Sequence, residues 1–191
     1  MLPETQSIFE FRKQFLKLAG GAFRVFDTAG QLLLFCEQKA FKLREDLRVY
    51  SDETKRNEVL SIKTQKILDI SATYDVVDMT KNEKAGALKR MGMKSILRDE
   101  WEIYDAQGIL IGKLQEDSTA LALLRRFLTD LIPQTYHFLV QGQKIGEFRQ
   151  AFNPFTYRAT MDLSGDRGKM LDRRLALAAG ILLLAIEGRQ G

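Results

Sequence analysis

The sequence predicts a mainly β fold: a closed antiparallel barrel wrapped around a hydrophobic C-terminal helix. Three observations carry this. Near the end of the 191-residue chain, Leu175 to Ile186 runs for twelve residues without a polar side chain. Many short segments upstream alternate apolar and polar residues. Asp-x-x-Gly turns recur between those segments.

The apolar run comes first. As a helix, twelve residues reach about 18 Å, whereas a bilayer core of about 30 Å asks for about 20 apolar residues. Arg173 and Arg174 precede the run, and Glu187 and Arg189 follow it; charged ends of this kind can snorkel. The run leaves no polar stripe, and a helix apolar on every side must be covered on every side. A core helix over about 169–188 is therefore predicted, inside whatever the rest of the chain builds.

The rest reads as strands. In "FTYRATMD" (155–162), Phe155, Tyr157, Ala159 and Met161 alternate with Thr156, Arg158, Thr160 and Asp162, the period of a strand with one wet face and one dry face. "LRVY" (47–50) and "WEIY" (101–104) share the habit, and "VLSIKT" (59–64) and "IGEF" (145–148) show it less fully. "FRVFDTAGQLLLFCEQ" (23–38) aligns without gaps on "WEIYDAQGILIGKLQE" (101–116). In both, the aspartate can accept from the backbone two residues on, and Gly30 or Gly108 can take the positive φ that closes a type I turn with a bulge. "LVQGQKIGEF" (139–148) is a tighter hairpin with Gly142 in its turn, and "MDLSGDRG" (161–168) repeats the Asp-x-x-Gly spacing before the helix. A helix of about 119–131 interrupts the series, with Ser118 or Thr119 as its cap and Pro133 beyond its end. Residues 1–191 are read as one domain. Barrel closure removes exposed sheet edges, and the dry strand faces then meet the helix.

Composition excludes several classes. At 45% hydrophobic and 28% charged the chain is ordinarily globular. One cysteine, Cys36, rules out an internal disulfide and a CxxC zinc site; within "LLLFCEQ" it reads as a buried structural thiol. The opening "MLPETQSIFEFRKQF" has early acids and no apolar core of a signal peptide, so a cytoplasmic location is expected. A net charge of +4 suits anionic partners, but no basic tail or nucleic-acid motif is present, so nucleic acid is not an expected partner. His137, the one histidine, sits in the strand-like "TYHFLV" with no nucleophile motif near it. The chain has no GxGxxG, Walker, GxSxG or HExxH motif. Asp162 and Asp166 could offer oxygens to a cation, but a turn before a helix accounts for them. No enzyme activity, metal or cofactor is expected.

The hairpin series "FRVFDTAGQLLLFCEQKAFKLREDLRVYSDE", then "ILDISATYDVVD", then "WEIYDAQGILIG", closing in an apolar helix, resembles the LURP-one-related family over about residues 8–188. That family is grouped with phospholipid scramblases and the tubby C-terminal domain. The resemblance implies a tubby C-terminal-like barrel of about twelve antiparallel strands around a central hydrophobic helix. It also implies two lipid functions: phosphoinositide binding through a basic surface, as in tubby-like domains, and calcium-dependent lipid movement, as in scramblases. No stretch matches tubby's phosphoinositide-binding residues, so none is carried over. The proline-rich N-terminal region and palmitoylated cysteine cluster of animal scramblases are missing here.

The candidate partner site is "KNEKAGALKRMGMKSILRDEW" (81–101). Lys81, Lys84, Lys89, Arg90, Lys94 and Arg98 are offset there by Glu83, Asp99 and Glu100, with Met91 and Met93 between. Basic residues beside apolar ones suit an anionic bilayer surface, where each contributes about 1 kcal/mol. "FRKQFLK" (11–17) is a second basic group or an amphipathic first strand. The leading reading is a non-enzymatic intracellular module for anionic phospholipid or phosphoinositide headgroups, peripheral at the inner membrane surface. The alternatives are a soluble scaffold with an unknown protein partner, or a phospholipid scramblase.

Overall fold

A computed structural model describes residues 6–16, 20–38, 46–68, 71–91, 100–117, 134–151 and 157–186. It is a closed barrel of twelve antiparallel strands around one helix. The strands are β1 (Ile8–Leu16), β2 (Gly20–Phe26), β3 (Leu32–Gln38), β4 (Asp46–Tyr50), β5 (Glu58–Leu68) and β6 (Ser71–Asp78). They continue as β7 (Glu83–Met91), β8 (Glu100–Tyr104), β9 (Leu110–Glu116), β10 (Thr135–Val140), β11 (Gln143–Ala151) and β12 (Tyr157–Asp162). Helix α1 is Arg173–Ile186. Each strand pairs with its neighbours in sequence, and β1 closes the ring on β12 with Phe9 opposite Met161 and Phe11 opposite Ala159.

Alternation decides which side chains line the interior. Phe9 and Phe11 from β1, Leu34 and Cys36 from β3, Trp101 and Ile103 from β8, and Ala159 and Met161 from β12 are all buried in one core with α1. Every residue of α1 from Leu175 to Ala185 is buried. The helix can sit so close to the wall because its side chains are small where the strands' are large. A Cβ on Gly180 would stand 2.6 Å from Phe11 Cζ and 3.0 Å from Met161 Cε.

The predicted strands and both predicted Asp-x-x-Gly hairpins are present. In each, the glycine N–H donates to the aspartate carbonyl at 3.1 Å, and Gly30 and Gly108 hold φ of 81° and 82°. The β10–β11 turn has positive φ at both Gln141 (50°) and Gly142 (77°), the primed turn whose twist matches a two-residue hairpin. The core helix starts at Arg173, not near 169. Lys169 is left-handed (φ 49°), and Asp172 caps the helix, its Oδ1 accepting from Arg174 N–H at 2.8 Å. Residues 187–188, the expected helix over 119–131, and Phe155 and Thr156 lie outside the described residues.

Cys36 is a buried wall residue, as expected. Burial, with the charges of Glu37 and Asp46, pushes its thiol up to about 12, far from the thiolate that nucleophilic chemistry needs.

Two outcomes test the core. Deleting residues 171–191 empties the interior, so the remaining chain should lose its cooperative thermal transition by circular dichroism; a truncated chain that melts like the full one would show that the helix is not the core. Gly180→Ala overpacks the Phe11 contact at about 1–3 kcal/mol against a helix-propensity gain of about 1 kcal/mol. Its urea midpoint should fall.

Candidate functional site

At one end of the barrel every connection between elements is described. The β2–β3, β4–β5, β6–β7, β8–β9 and β10–β11 turns meet there, together with the β12–α1 connection. Seven aspartates build it, each accepting a backbone N–H through its side chain. Asp27 accepts from Gln31, Asp52 from Thr54, Asp78 from Thr80 and Asp105 from Gln107. Asp162 accepts from Ser164, Asp166 from Met170 and Asp172 from Arg174. Amides that would otherwise be orphaned at turns and at the helix start are satisfied this way.

The helix start is also clamped by charge. Arg173 and Arg174 occupy its first turn, where the helix dipole disfavours cations. Carboxylates from elsewhere in the fold offset this. Arg173 Nη1 donates to Asp166 Oδ2 at 2.8 Å, a pair with side-chain exposures of 9% and 0%. Arg174 Nη1 reaches Asp78 Oδ2 at 3.0 Å and Glu83 Oε1 at 2.5 Å, and its Nη2 reaches Asp172 Oδ2 at 2.7 Å. Burial pushes the Asp78 carboxyl up, but hydrogen bonds from Thr80, Arg174 and the Lys81 and Thr80 amides outweigh it and hold it below the usual carboxylate range. At the far end of α1, the ammonium of buried Lys13 donates to the Leu184 carbonyl at 2.9 Å, a cation on the negative end of the dipole.

These pairings answer two expectations. Asp162 and Asp166 do not form a cation site: one closes a turn, and the other is taken by Arg173. No group of three or more metal-ligating side chains occurs among the described residues. His137 lies in β10 with Nε2 3.5 Å from Asp117.

The predicted basic stretch is dispersed by the fold. Lys84 pairs with Asp75 at 2.7 Å, and Lys89 with Glu102 at 3.5 Å, across neighbouring strands. Arg90 sits opposite buried Trp101, its guanidinium 6.0 Å from the ring centroid. Lys81 is exposed in the β6–β7 turn, its N–H bonded to Asp78. Lys81 and Arg90 are thus at opposite ends of β7, roughly 30 Å apart along the strand. Met91 is half-buried. Lys94, Arg98 and Met93 lie outside the described residues.

Sequence reasoning missed an apolar feature at the aspartate-built end. Ile109 and Leu110 follow the Asp105–Gly108 turn of the β8–β9 hairpin, 62% and 48% exposed. They border an open cleft of about 700 Å³ whose walls include Ile111, Leu139, Gly142 and Met170. The signal was present in "GILIG" (108–112), where apolar residues continue past the turn without alternating.

A closed antiparallel barrel filled by one apolar helix, with no metal cluster among its described residues, defines a structural class. Comparison with known proteins places the chain within it: the LURP-one-related family model matches residues 32–183, most of the sequence, and the chain belongs to that family. Membership suggests a tubby-like domain. No curated protein and no solved structure matches.

The clamp yields a prediction. Arg174→Met leaves Asp78 buried without its cation and should cost about 2–3 kcal/mol in urea unfolding, the partly exposed arginine lowering the figure for a fully buried pair. Because the folded Asp78 carboxyl is depressed, its contribution is full above the unfolded value of about 4 and is lost as pH falls through the lower folded value. Wild-type stability should therefore decline below about pH 4, and Arg174→Met should decline less steeply. Equal acid limbs in both proteins would sink this account.

Proposed function

We propose that this chain is a non-enzymatic module that binds anionic phospholipid or phosphoinositide headgroups at a membrane surface. The supporting observation is the disposition of charge at the described end. Its seven aspartates are engaged by backbone amides, and buried Asp78 and Asp166 are also paired with Arg174 and Arg173, while Arg56, Lys81, Arg167 and Lys169 are exposed. Exposed cations beside engaged carboxylates can meet anionic headgroups.

A second reading, a scaffold that meets a protein partner, is favoured by the paired wall. Lys84–Asp75 and Lys89–Glu102 neutralise two of the six cations expected to face lipid. For a scramblase, α1 would have to leave the barrel. Its 14 residues span about 21 Å, and no described helix is long and apolar enough to cross a membrane.

Flotation of the purified full-length protein with neutral, anionic and phosphoinositide-containing vesicles distinguishes the readings. Binding to anionic vesicles that is reversed by high salt is the expected result. Failure to float with any vesicle would leave the scaffold reading. Lipid flip in reconstituted vesicles would revive the scramblase.

A further inference from the structure

Among the described residues, four large apolar side chains are exposed: Ile8, Met79, Ile109 and Leu110. All four are at the same end of the barrel. Ile8 opens β1 there, opposite Asp162 at the close of β12. Met79 stands in the β6–β7 turn, and Ile109 and Leu110 follow the β8–β9 turn. The outer wall by contrast carries cross-strand ion pairs such as Lys113–Glu100 and Lys89–Glu102.

The β12–α1 connection at that end carries both signs of charge. Asp162, Asp166 and Asp172 are held by the Ser164 amide, Arg173 and Arg174 respectively, Asp166 being buried. Arg167 and Lys169 on the same connection point out, and neither is paired with a carboxylate among the described residues. Lys169 is adjacent in the chain to Met170, which lines the cleft beside Ile109 and Leu110. Exposed apolar side chains at the end of a barrel, with exposed cations on a connection at the same end, are the pattern of a protein that rests on an anionic bilayer. Apolar side chains enter the boundary between headgroups and acyl chains, and cations meet the headgroups.

We infer that the barrel docks end-on to an anionic bilayer, with the Ile109 and Leu110 side chains inserted and Arg167 and Lys169 on the headgroups. This rests on the lipid-binding reading and goes further by fixing the contact surface and the orientation. The barrel axis, and α1 within it, then stands steeply to the membrane without the helix entering it.

The test uses the full chain and vesicles of phosphatidylcholine with phosphatidylserine. An environment-sensitive dye on Leu110→Cys reports insertion, since Cys36 is buried. The expected result is a blue-shifted, stronger emission on anionic vesicles. Arg167→Gln with Lys169→Gln should weaken partitioning roughly 30-fold, about 1 kcal/mol for each cation. Ile109→Asp with Leu110→Asp should abolish flotation while leaving the melting curve unchanged, because both residues are exposed. Wild-type flotation with an unshifted dye, or flotation that survives the aspartates, would overturn end-on docking while sparing the lipid-binding reading. No wild-type flotation would overturn both. A dye shift without lipid, accompanied by dimers in sedimentation, would make a second copy of the chain the occupant and overturn the inference.

Discussion

Helix α1 has no side that tolerates water, and the architecture follows from that constraint. A half-buried helix needs one apolar stripe and one covering layer; this one needs a closed layer. A barrel supplies it and leaves no strand edge open for pairing with another chain. Twelve strands leave room for a helix inside, provided the helix is lined with alanine and glycine where the wall carries phenylalanine. Gly180 beneath Phe11 is the tightest instance.

Apolar contacts hold the helix in the barrel, and the close fit of Gly180 beneath Phe11 limits its sliding. The charged groups at its two ends set the depth. Arg173 and Arg174 are poorly placed for the helix dipole and well placed for Asp166, Asp78 and Glu83. Lys13 reaches the last turn from the wall. Local preference is sacrificed at the helix start because the tertiary partners define where that start must be.

Much of the fold could be read from the sequence because its causes are local. An unbroken apolar run, alternation in "FTYRATMD" and the two Asp-x-x-Gly hairpins each declare themselves within a dozen residues. The clamp could not be read this way: Arg174 lies 96 residues from Asp78, and Lys13 lies 171 from Leu184. Arginines that look like membrane-flanking charges beside an apolar run turn out to be pins. The partners of the basic stretch could not be read for a related reason. Closeness along the chain suggests one patch, but strand alternation sends Lys84 and Lys89 to carboxylates on the outer wall and Arg90 over Trp101. The Asp-x-x-Gly motif identified turns, but it did not reveal that the turns share one end, which depends on the order of all twelve strands.

The pairing of β1 with β12 also bears on how the molecule forms. The seam joins Phe9 to Met161, so nearly the whole sequence must be arranged before the ring can shut. Hairpins between neighbours form quickly, whereas a contact across such a separation carries a large loop-closure entropy. Until closure, two strand edges and the inner faces are open to solvent. Loop-closure entropy thus falls most heavily on the meeting of the ring's two ends around the helix, and open edges favour self-association until then.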